Sequence, residues 1–99
     1  MTSADNTPST VLLVDDHPAV RHSLTIVLSA QGYRVTGEAD TYKDALALID
    51  SNRFDIAIVD LTLREGSGLT LIADLKLRHI PSLVYSMHES QSIVTRVLE

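Results

Sequence analysis

The sequence predicts an α/β domain in which strands and helices alternate along the chain, and three observations support this fold class. Short, mainly apolar segments occur at 11–14, 54–59 and 82–85, and each is followed by a polar residue. Between these runs, apolar residues recur at spacings of three and four, as on one face of a helix. The 99 residues allow one domain, and a 44% hydrophobic content is enough for its core.

The first half of the chain supplies two strands and two helices. Residues 11–14 are continuously apolar, which indicates a strand buried on both faces, and residues 33–39 alternate, which indicates an edge strand. Pro18 opens the first helix, Gly32 ends it, and Thr41 caps the second. The predicted inward faces of the two helices are Val20, Leu24, Val27 and Leu28, and then Tyr42, Ala45, Leu46 and Ile49.

The second half repeats the alternation. Residues 54–59 predict a buried third strand, a loop containing Gly66 and Gly68 follows, and residues 82–85 predict a fourth strand. Gly68 is interpreted as a source of turn freedom. The third helix is expected to bury Leu69, Leu71, Ile72 and Leu75. A fourth helix is expected after Ser90, with an apolar face of Ile93, Val94, Val97 and Leu98.

Alternation of this kind builds a parallel sheet through right-handed crossovers. Because the second strand has the pattern of an edge strand, the favoured order is 2-1-3-4, that of the doubly wound, flavodoxin-like sheet. Residues 1–9 predict a disordered tail, and 10–99 the domain. No fifth strand or further helix follows the predicted fourth helix, so we expect the domain to be incomplete at its C-terminus.

Composition excludes several classes of function. The net charge of −5 predicts that this chain itself does not bind DNA, because the phosphate backbone attracts clustered Lys and Arg. The absence of cysteine excludes disulfides, thiolate metal sites and cysteine nucleophiles. No apolar run is long enough to span a membrane, and residues 1–10 lack the features of a secretory signal. A cytoplasmic location is therefore expected.

Three carboxylates are predicted to meet where the strand order reverses. Asp15 and Asp16 follow the first strand and Asp60 follows the third, and ligands of open parallel sheets bind beyond the carboxyl ends of such strands. Crowded carboxylates repel, and a hard divalent cation such as Mg²⁺, Mn²⁺ or Ca²⁺ compensates them. A carboxylate beside Mg²⁺ is also a potential nucleophile that forms an aspartyl phosphate.

Structural interpretations of the same residues stay open. Asp15 and Asp16 precede His17 and Pro18 as in an ordinary helix start, and Asp60 taken alone fits a solvated loop. The Ser86 hydroxyl at the end of the fourth strand either contacts a phosphoryl oxygen on Asp60 or is a plain strand-end residue. His17 and His88 flank the same edge and are interpreted as exposed helix-start residues rather than metal ligands.

These residues resemble the receiver domain of bacterial two-component response regulators. The resemblance rests on Val14-Asp15-Asp16-His17-Pro18, on Asp60-Leu61 followed by Gly68-Leu69, and on the strand-end Ser86. The opening motif and residues 83–88 look most like receivers of the NarL/FixJ (LuxR-type) transcriptional regulators. The resemblance covers residues 10–99.

The resemblance implies a role for each site residue. Asp60 would accept the phosphoryl group, Asp16 would bind Mg²⁺ directly, and Asp15 would act largely through water. The backbone carbonyl of Thr62 would be a further metal ligand, and Ser86 would move toward the phosphoryl group. The donor would be a sensor histidine kinase, a DNA-binding output domain would follow in the intact protein, and the chain would not be a turnover enzyme.

Two departures separate the chain from the family pattern. Arg64 stands where the family usually has proline, and the lysine that ends the fifth strand has no counterpart, because the only lysines are Lys43 and Lys76 in predicted helices. A degenerate or truncated receiver that binds partners without phosphorylation is therefore the alternative function. Without a fifth strand, the edge of the fourth strand and the last helix are expected to be exposed, which predicts self-association as a homodimer.

Overall fold

The computed structural model describes residues 9–61, 63, 68–87 and 93–98. The elements are, in chain order, β1 (Thr10–Val14), α1 (Pro18–Ala30), β2 (Arg34–Ala39), α2 (Tyr42–Ser51), β3 (Ile56–Asp60), α3 (Gly68–Leu77), β4 (Ser82–Met87) and β5 (Ile93–Leu98). The predicted tail lies outside the described residues except for Ser9, whose carbonyl accepts the N–H of Arg34 at 2.9 Å. None of the helices in these ranges is long and apolar enough to cross a bilayer.

The sheet has the strand order β2-β1-β3-β4-β5, and the first four strands are parallel. This confirms the predicted order 2-1-3-4. Val14 pairs with Val59 in register, so the carboxyl ends of β1 and β3 lie side by side. Asp60 pairs with Tyr85, which brings the end of β4 to the same edge of the sheet. The topology thus places the ends of three strands around one crevice.

The predicted fourth helix is wrong, because residues Ile93–Leu98 form the strand β5, antiparallel to β4. Four residues of this segment, Ile93, Val94, Thr95 and Val97, are β-branched, and such side chains favour strands over helices. The apolar spacing that indicated a helix is a local pattern. The backbone N–H and C=O groups on the outer side of β4, with which this segment pairs, are brought near it only by the tertiary fold. The predicted helix cap, Ser90, lies outside the described residues.

Pairing with β5 also corrects the expectation that the edge of β4 is exposed. The register runs from Ser82 opposite Leu98 to Met87 opposite Ile93, so the whole length of β4 has a neighbour on its outer side. No fifth parallel strand occurs within the described ranges. The predicted self-association therefore loses this structural basis, and the oligomeric state stays a prediction.

The core lies on both faces of the sheet. One face packs β1 and β3 against α2 and α3, with Leu12, Leu71 and Leu75 fully buried. The other packs Val11, Leu13, Ile58 and Tyr85 against half-buried residues of α1. Two residues predicted to face inward are instead exposed, Val27 at 57% and Leu69 at 72%.

These two exceptions have separate physical reasons. The buried residues of α3 are Gly68, Leu71, Ile72 and Leu75, which form one face of the helix. Leu69 lies outside this face, so its side chain is exposed to solvent. Val27 lines an apolar cavity of about 170 Å³ between α1 and the sheet, where Leu24, Ile58 and Leu83 also lie. Val27 is therefore exposed along this cavity rather than packed against the sheet.

Candidate functional site

Four side chains converge at the carboxyl ends of β1 and β3. Asp15 and Asp16 follow β1, His17 precedes α1, and Asp60 is the last residue of β3. One potential metal-ligating atom from each lies within 4.8 Å of those of the others. The structure therefore brings together the three carboxylates singled out in the sequence and adds an imidazole to them.

The carboxylates of this cluster are removed from solvent. Asp60 is fully buried, Asp15 is 1% exposed, and the Asp16 side chain is 8% exposed. Burial of ionised carboxylates is costly unless hydrogen bonds or opposite charges compensate it. A solvated loop, the alternative interpretation of Asp60, does not fit this burial.

Asp15 is held from several sides. Its Oδ1 accepts the backbone N–H of His17 at 2.6 Å and lies 2.8 Å from His17 Nδ1. Its Oδ2 accepts a hydrogen bond from the hydroxyl of Tyr85. Its own backbone N–H donates to the carbonyl of Ala39 at 3.0 Å, at the end of β2. Both the backbone and the carboxylate of Asp15 are thereby fixed in orientation.

His17 contributes more to the cluster than the sequence indicated. Its Nδ1 lies 3.0 Å from Asp16 Oδ1 and 3.8 Å from Asp60 Oδ2, in addition to its contact with Asp15. The hydrogen bond to Asp15 raises the pKa of the His17 imidazole, against an opposing effect of burial. His17 is also the N-cap of α1, without a side-chain cap bond, so neither Asp15 nor Asp16 occupies the N-cap position.

Tyr85 is a site residue that the sequence analysis missed. It is 5% exposed, its hydroxyl reaches Asp15, and its carbonyl accepts the N–H of Leu61 at 2.8 Å. Burial, together with the hydrogen bond to Asp15, raises the pKa of the Tyr85 hydroxyl. The hydroxyl therefore stays protonated and remains a donor. Its position one residue before Ser86 was the only sequence signal.

Arg21 is a second residue that sequence reasoning did not select. Its Nη1 donates to the backbone carbonyl of Asp15 at 2.6 Å, and its Nε donates to Glu38 Oε1 at 3.1 Å. The guanidinium thus joins the first turn of α1 to the end of β1 and to β2. This contact fixes the turn that carries Asp15, Asp16 and His17.

Some residues singled out in the sequence lie outside what the structure describes. These are Thr62, Arg64, Gly66, His88 and the side chain of Ser86. The backbone of Ser86 belongs to β4 and pairs with Val94. The interpretation of Gly68 as a source of turn freedom is wrong, because Gly68 is part of helix α3. Among the described glycines, the one with a positive φ is Gly32.

The donor set suits a hard divalent cation. Carboxylate oxygens are the ligands that Mg²⁺ and Ca²⁺ prefer, and an acidic cluster with little solvent access gains electrostatically from a cation. Asp15, Asp16 and Asp60 each offer a carboxylate oxygen within 4.8 Å of the others, and the oxygens of Asp15 also accept hydrogen bonds from His17 and Tyr85. The residues present therefore fit a metal such as Mg²⁺.

Comparison with known proteins gives a consistent result. Residues 11–99 match the family model described as response regulator receiver domain. The chain is 40% identical over 74 residues to the DNA-binding transcriptional activator DevR/DosR of Mycobacterium tuberculosis, covering 74% of this chain and 34% of that protein. It is 33% identical over 91 residues to the transcriptional regulatory protein YdfI of Bacillus subtilis, covering 90% and 43%. The chain thus spans less than half the length of these curated relatives.

Solved structures support the same fold. A CheY-like response regulator receiver domain protein from Methanospirillum hungatei JF-1 is 29% identical with a TM-score of 0.74, over 82% of this chain and 66% of that one. A two-component response regulator of the LuxR family from Aurantimonas sp. SI85-9A1 is 29% identical with a TM-score of 0.75, over 83% and 61%. The resemblance inferred from the motifs is thereby confirmed.

Proposed function

The chain belongs to the response regulator receiver domain family, and on this premise we propose that it accepts a phosphoryl group on Asp60 from a sensor histidine kinase, with Mg²⁺ held beside it. The observation that carries the proposal is the convergence of Asp15, Asp16 and Asp60 at adjacent strand ends, with ligand atoms within 4.8 Å. Asp60 ends β3, a central strand of the sheet, and this position supports its assignment as the acceptor.

The proposed reaction transfers one phosphoryl group. An Asp60 carboxylate oxygen attacks phosphorus, and the P–N bond of the kinase phosphohistidine breaks. The electron pair of that bond stays on the imidazole nitrogen, and an acyl phosphate forms on Asp60. A bound Mg²⁺ would offset the charge of the carboxylates and the phosphoryl oxygens.

The other residues have supporting roles in this proposal. Asp16 and Asp60 would hold the cation and Asp15 would act on it largely through water. The family resemblance implies the backbone carbonyl of Thr62, which lies outside the described residues, as a further ligand. Ser86 would move toward the phosphoryl group, and its hydroxyl would contact a phosphoryl oxygen on Asp60. Arg21 keeps the turn after β1 in place through the Asp15 carbonyl.

The biological role follows from the family and the relatives. We propose a cytoplasmic signalling module whose phosphorylation controls a DNA-binding output domain, since curated relatives are named as transcriptional regulators. Asp60 is a stoichiometric acceptor in this role, so the chain is not a turnover enzyme.

Intact mass measurement after incubation with acetyl phosphate and Mg²⁺ tests the proposal. We expect an adduct of one phosphoryl group in the unmodified chain and none in Asp60→Asn. Asp50→Asn is the matched control, because Asp50 is an exposed carboxylate that pairs with Arg78 away from the cluster. The yield is expected to be low, since both lysines, Lys43 and Lys76, lie in α2 and α3.

Two results would contradict this function. An adduct that persists in Asp60→Asn would refute the assignment of the acceptor. Absence of any adduct, with acetyl phosphate and with a panel of histidine kinases, would favour the alternative of a phosphorylation-independent protein-interaction module.

A further inference from the structure

Tyr85 connects the two acidic segments of the site from a third strand. It lies on β4 opposite Asp60, and its carbonyl accepts the N–H of Leu61, the residue that follows Asp60. Its hydroxyl donates to Asp15 Oδ2 at the end of β1. A single side chain on β4 therefore touches one carboxylate of the cluster while its backbone holds the segment that carries another.

The hydrogen bonds of Asp15 limit what else it can bind. A carboxylate offers about four lone-pair positions. The backbone N–H and Nδ1 of His17 engage Oδ1, and the Tyr85 hydroxyl engages Oδ2. Three of the four positions are thus directed at protein groups, and Asp15 is buried with its carboxylate in that orientation.

We propose that Tyr85 is a positioning residue that sets the ion preference of the acidic site, by keeping Asp15 from coordinating the cation directly. This inference rests on the proposed function. Mg²⁺ binds through one or two carboxylates and keeps several waters, whereas Ca²⁺ takes six to eight oxygen ligands. With Asp15 held by Tyr85, two carboxylates, those of Asp16 and Asp60, would coordinate the cation. Two coordinating carboxylates favour Mg²⁺ over Ca²⁺.

Loss of the hydroxyl changes this balance. In Tyr85→Phe, Asp15 Oδ2 loses its hydrogen-bond donor while it is buried beside two other carboxylates. Coordination of the cation by Asp15 Oδ2 then replaces the lost hydrogen bond. A third coordinating carboxylate favours the larger ion. The phenylalanine ring keeps the apolar packing of Tyr85 against Val11, Leu13 and Ile58, so the fold is retained.

Calorimetric titration with Mg²⁺ and with Ca²⁺ tests the inference without measuring phosphorylation. We expect the ratio of Ca²⁺ affinity to Mg²⁺ affinity to rise about tenfold in Tyr85→Phe, the effect of one hydrogen bond to a charged group. Tyr42→Phe is the matched control, because the Tyr42 hydroxyl also donates to a carboxylate, Asp74 Oδ2 at 2.5 Å, outside the cluster. An unchanged ratio in Tyr85→Phe, or an equal rise in Tyr42→Phe, would overturn the proposal.

A second variant keeps the inference testable if Tyr85→Phe does not fold. Asp15→Asn removes a charge that acts on either ion through water, so both affinities should fall by the same factor and the ratio should stay constant. A changed ratio there would overturn the proposal. Where Tyr85→Phe does fold, adding it to Asp15→Asn should leave the ratio unchanged, and a tenfold rise in the double variant would show that Asp15 is not the link.

The role of Tyr85 and the proposed function are contradicted by different results. An unmodified chain that binds Mg²⁺ and forms the Asp60 adduct, combined with an unchanged ratio in Tyr85→Phe, contradicts the role of Tyr85 alone. An unmodified chain that binds neither ion contradicts both.

Discussion

Gly68, the first residue of α3, packs directly against the backbone of Asp60. A Cβ added at Gly68 would lie 3.0 Å from the Asp60 carbonyl oxygen and 3.1 Å from both the Cα and the carbonyl oxygen of Leu61. These neighbours are backbone atoms, so rotation of a side chain cannot relieve the contact. Glycine is required here for close approach between α3 and the end of β3.

Gly68→Ala should therefore destabilise the domain by about 1–3 kcal/mol, the usual cost of overpacking. Alanine gains at most about 1 kcal/mol of helix propensity, because Gly68 is the first residue of α3, and the strain of three short contacts exceeds that gain. Urea unfolding measures the difference, and the Asp60 adduct should decrease in parallel. Thr70→Ala, at an exposed position of the same helix, is the control. Equal stability of the two variants would show that the backbone of Asp60 moves without cost.

Mg²⁺ should stabilise the fold through Asp16 and Asp60. At a concentration ten times its dissociation constant, a ligand of the folded state contributes about 1.4 kcal/mol. For a domain of this size that corresponds to a rise in melting temperature of about 6–11 °C. Thermal melts at constant ionic strength measure it. An equal rise in the double variant Asp16→Ala, Asp60→Ala would place the ion elsewhere.

Arg21→Ala should weaken both the fold and the metal site. The guanidinium is largely covered and donates to the Asp15 carbonyl, so we expect a loss of about 1.5–3 kcal/mol and a lower Mg²⁺ affinity. Its other partner, Glu38, is half-exposed, and Glu38→Gln should cost no more than about 1 kcal/mol. Denaturant unfolding of the two variants separates these contributions. A larger loss in Glu38→Gln would mean that the ion pair, rather than the carbonyl contact, holds the turn.

Tyr42 should make the stability pH-dependent in the alkaline range. The hydrogen bond to Asp74 raises the pKa of the Tyr42 hydroxyl above its usual value of 10.0. A group whose pKa is raised on folding contributes stability that is fully present below its unfolded pKa and is lost as pH rises through its folded pKa. Tyr42→Phe should thus destabilise the domain at pH 8, and its deficit should shrink above pH 10. A deficit that stays constant between pH 8 and pH 11 would contradict the shift.

The chain by itself should not bind DNA. Its net charge is −5, and its eight basic residues are dispersed along the sequence. We expect no mobility shift of duplex DNA at micromolar protein and physiological salt. Binding at nanomolar protein would show that a basic surface had been overlooked.

Local sequence patterns were sufficient to predict the order of the parallel strands and the position of the three carboxylates at the strand ends. Continuous apolar runs identify strands buried on both faces, and alternation with helices implies a parallel sheet. Because parallel strands end at the same edge, Asp15, Asp16 and Asp60 could be placed together from their positions at strand ends alone. The Thr41 cap of α2 was also predictable, since the bond from the Asp44 N–H to its hydroxyl spans three residues.

Contacts between distant residues were decided only by the tertiary structure. The hydroxyl of Tyr85 meets Asp15 across 70 residues, and this contact depends on the register of β4 against β3 and on the rotamers of both side chains. The apolar residues of Ile93–Leu98 have a spacing that fits either a helix or a strand. The segment is a strand because its backbone pairs with the N–H and C=O groups of β4. The sequence by itself determines which residues stand at the ends of the strands. Their orientation, and which neighbours hold them, depend on packing that forms only when the whole sheet is assembled.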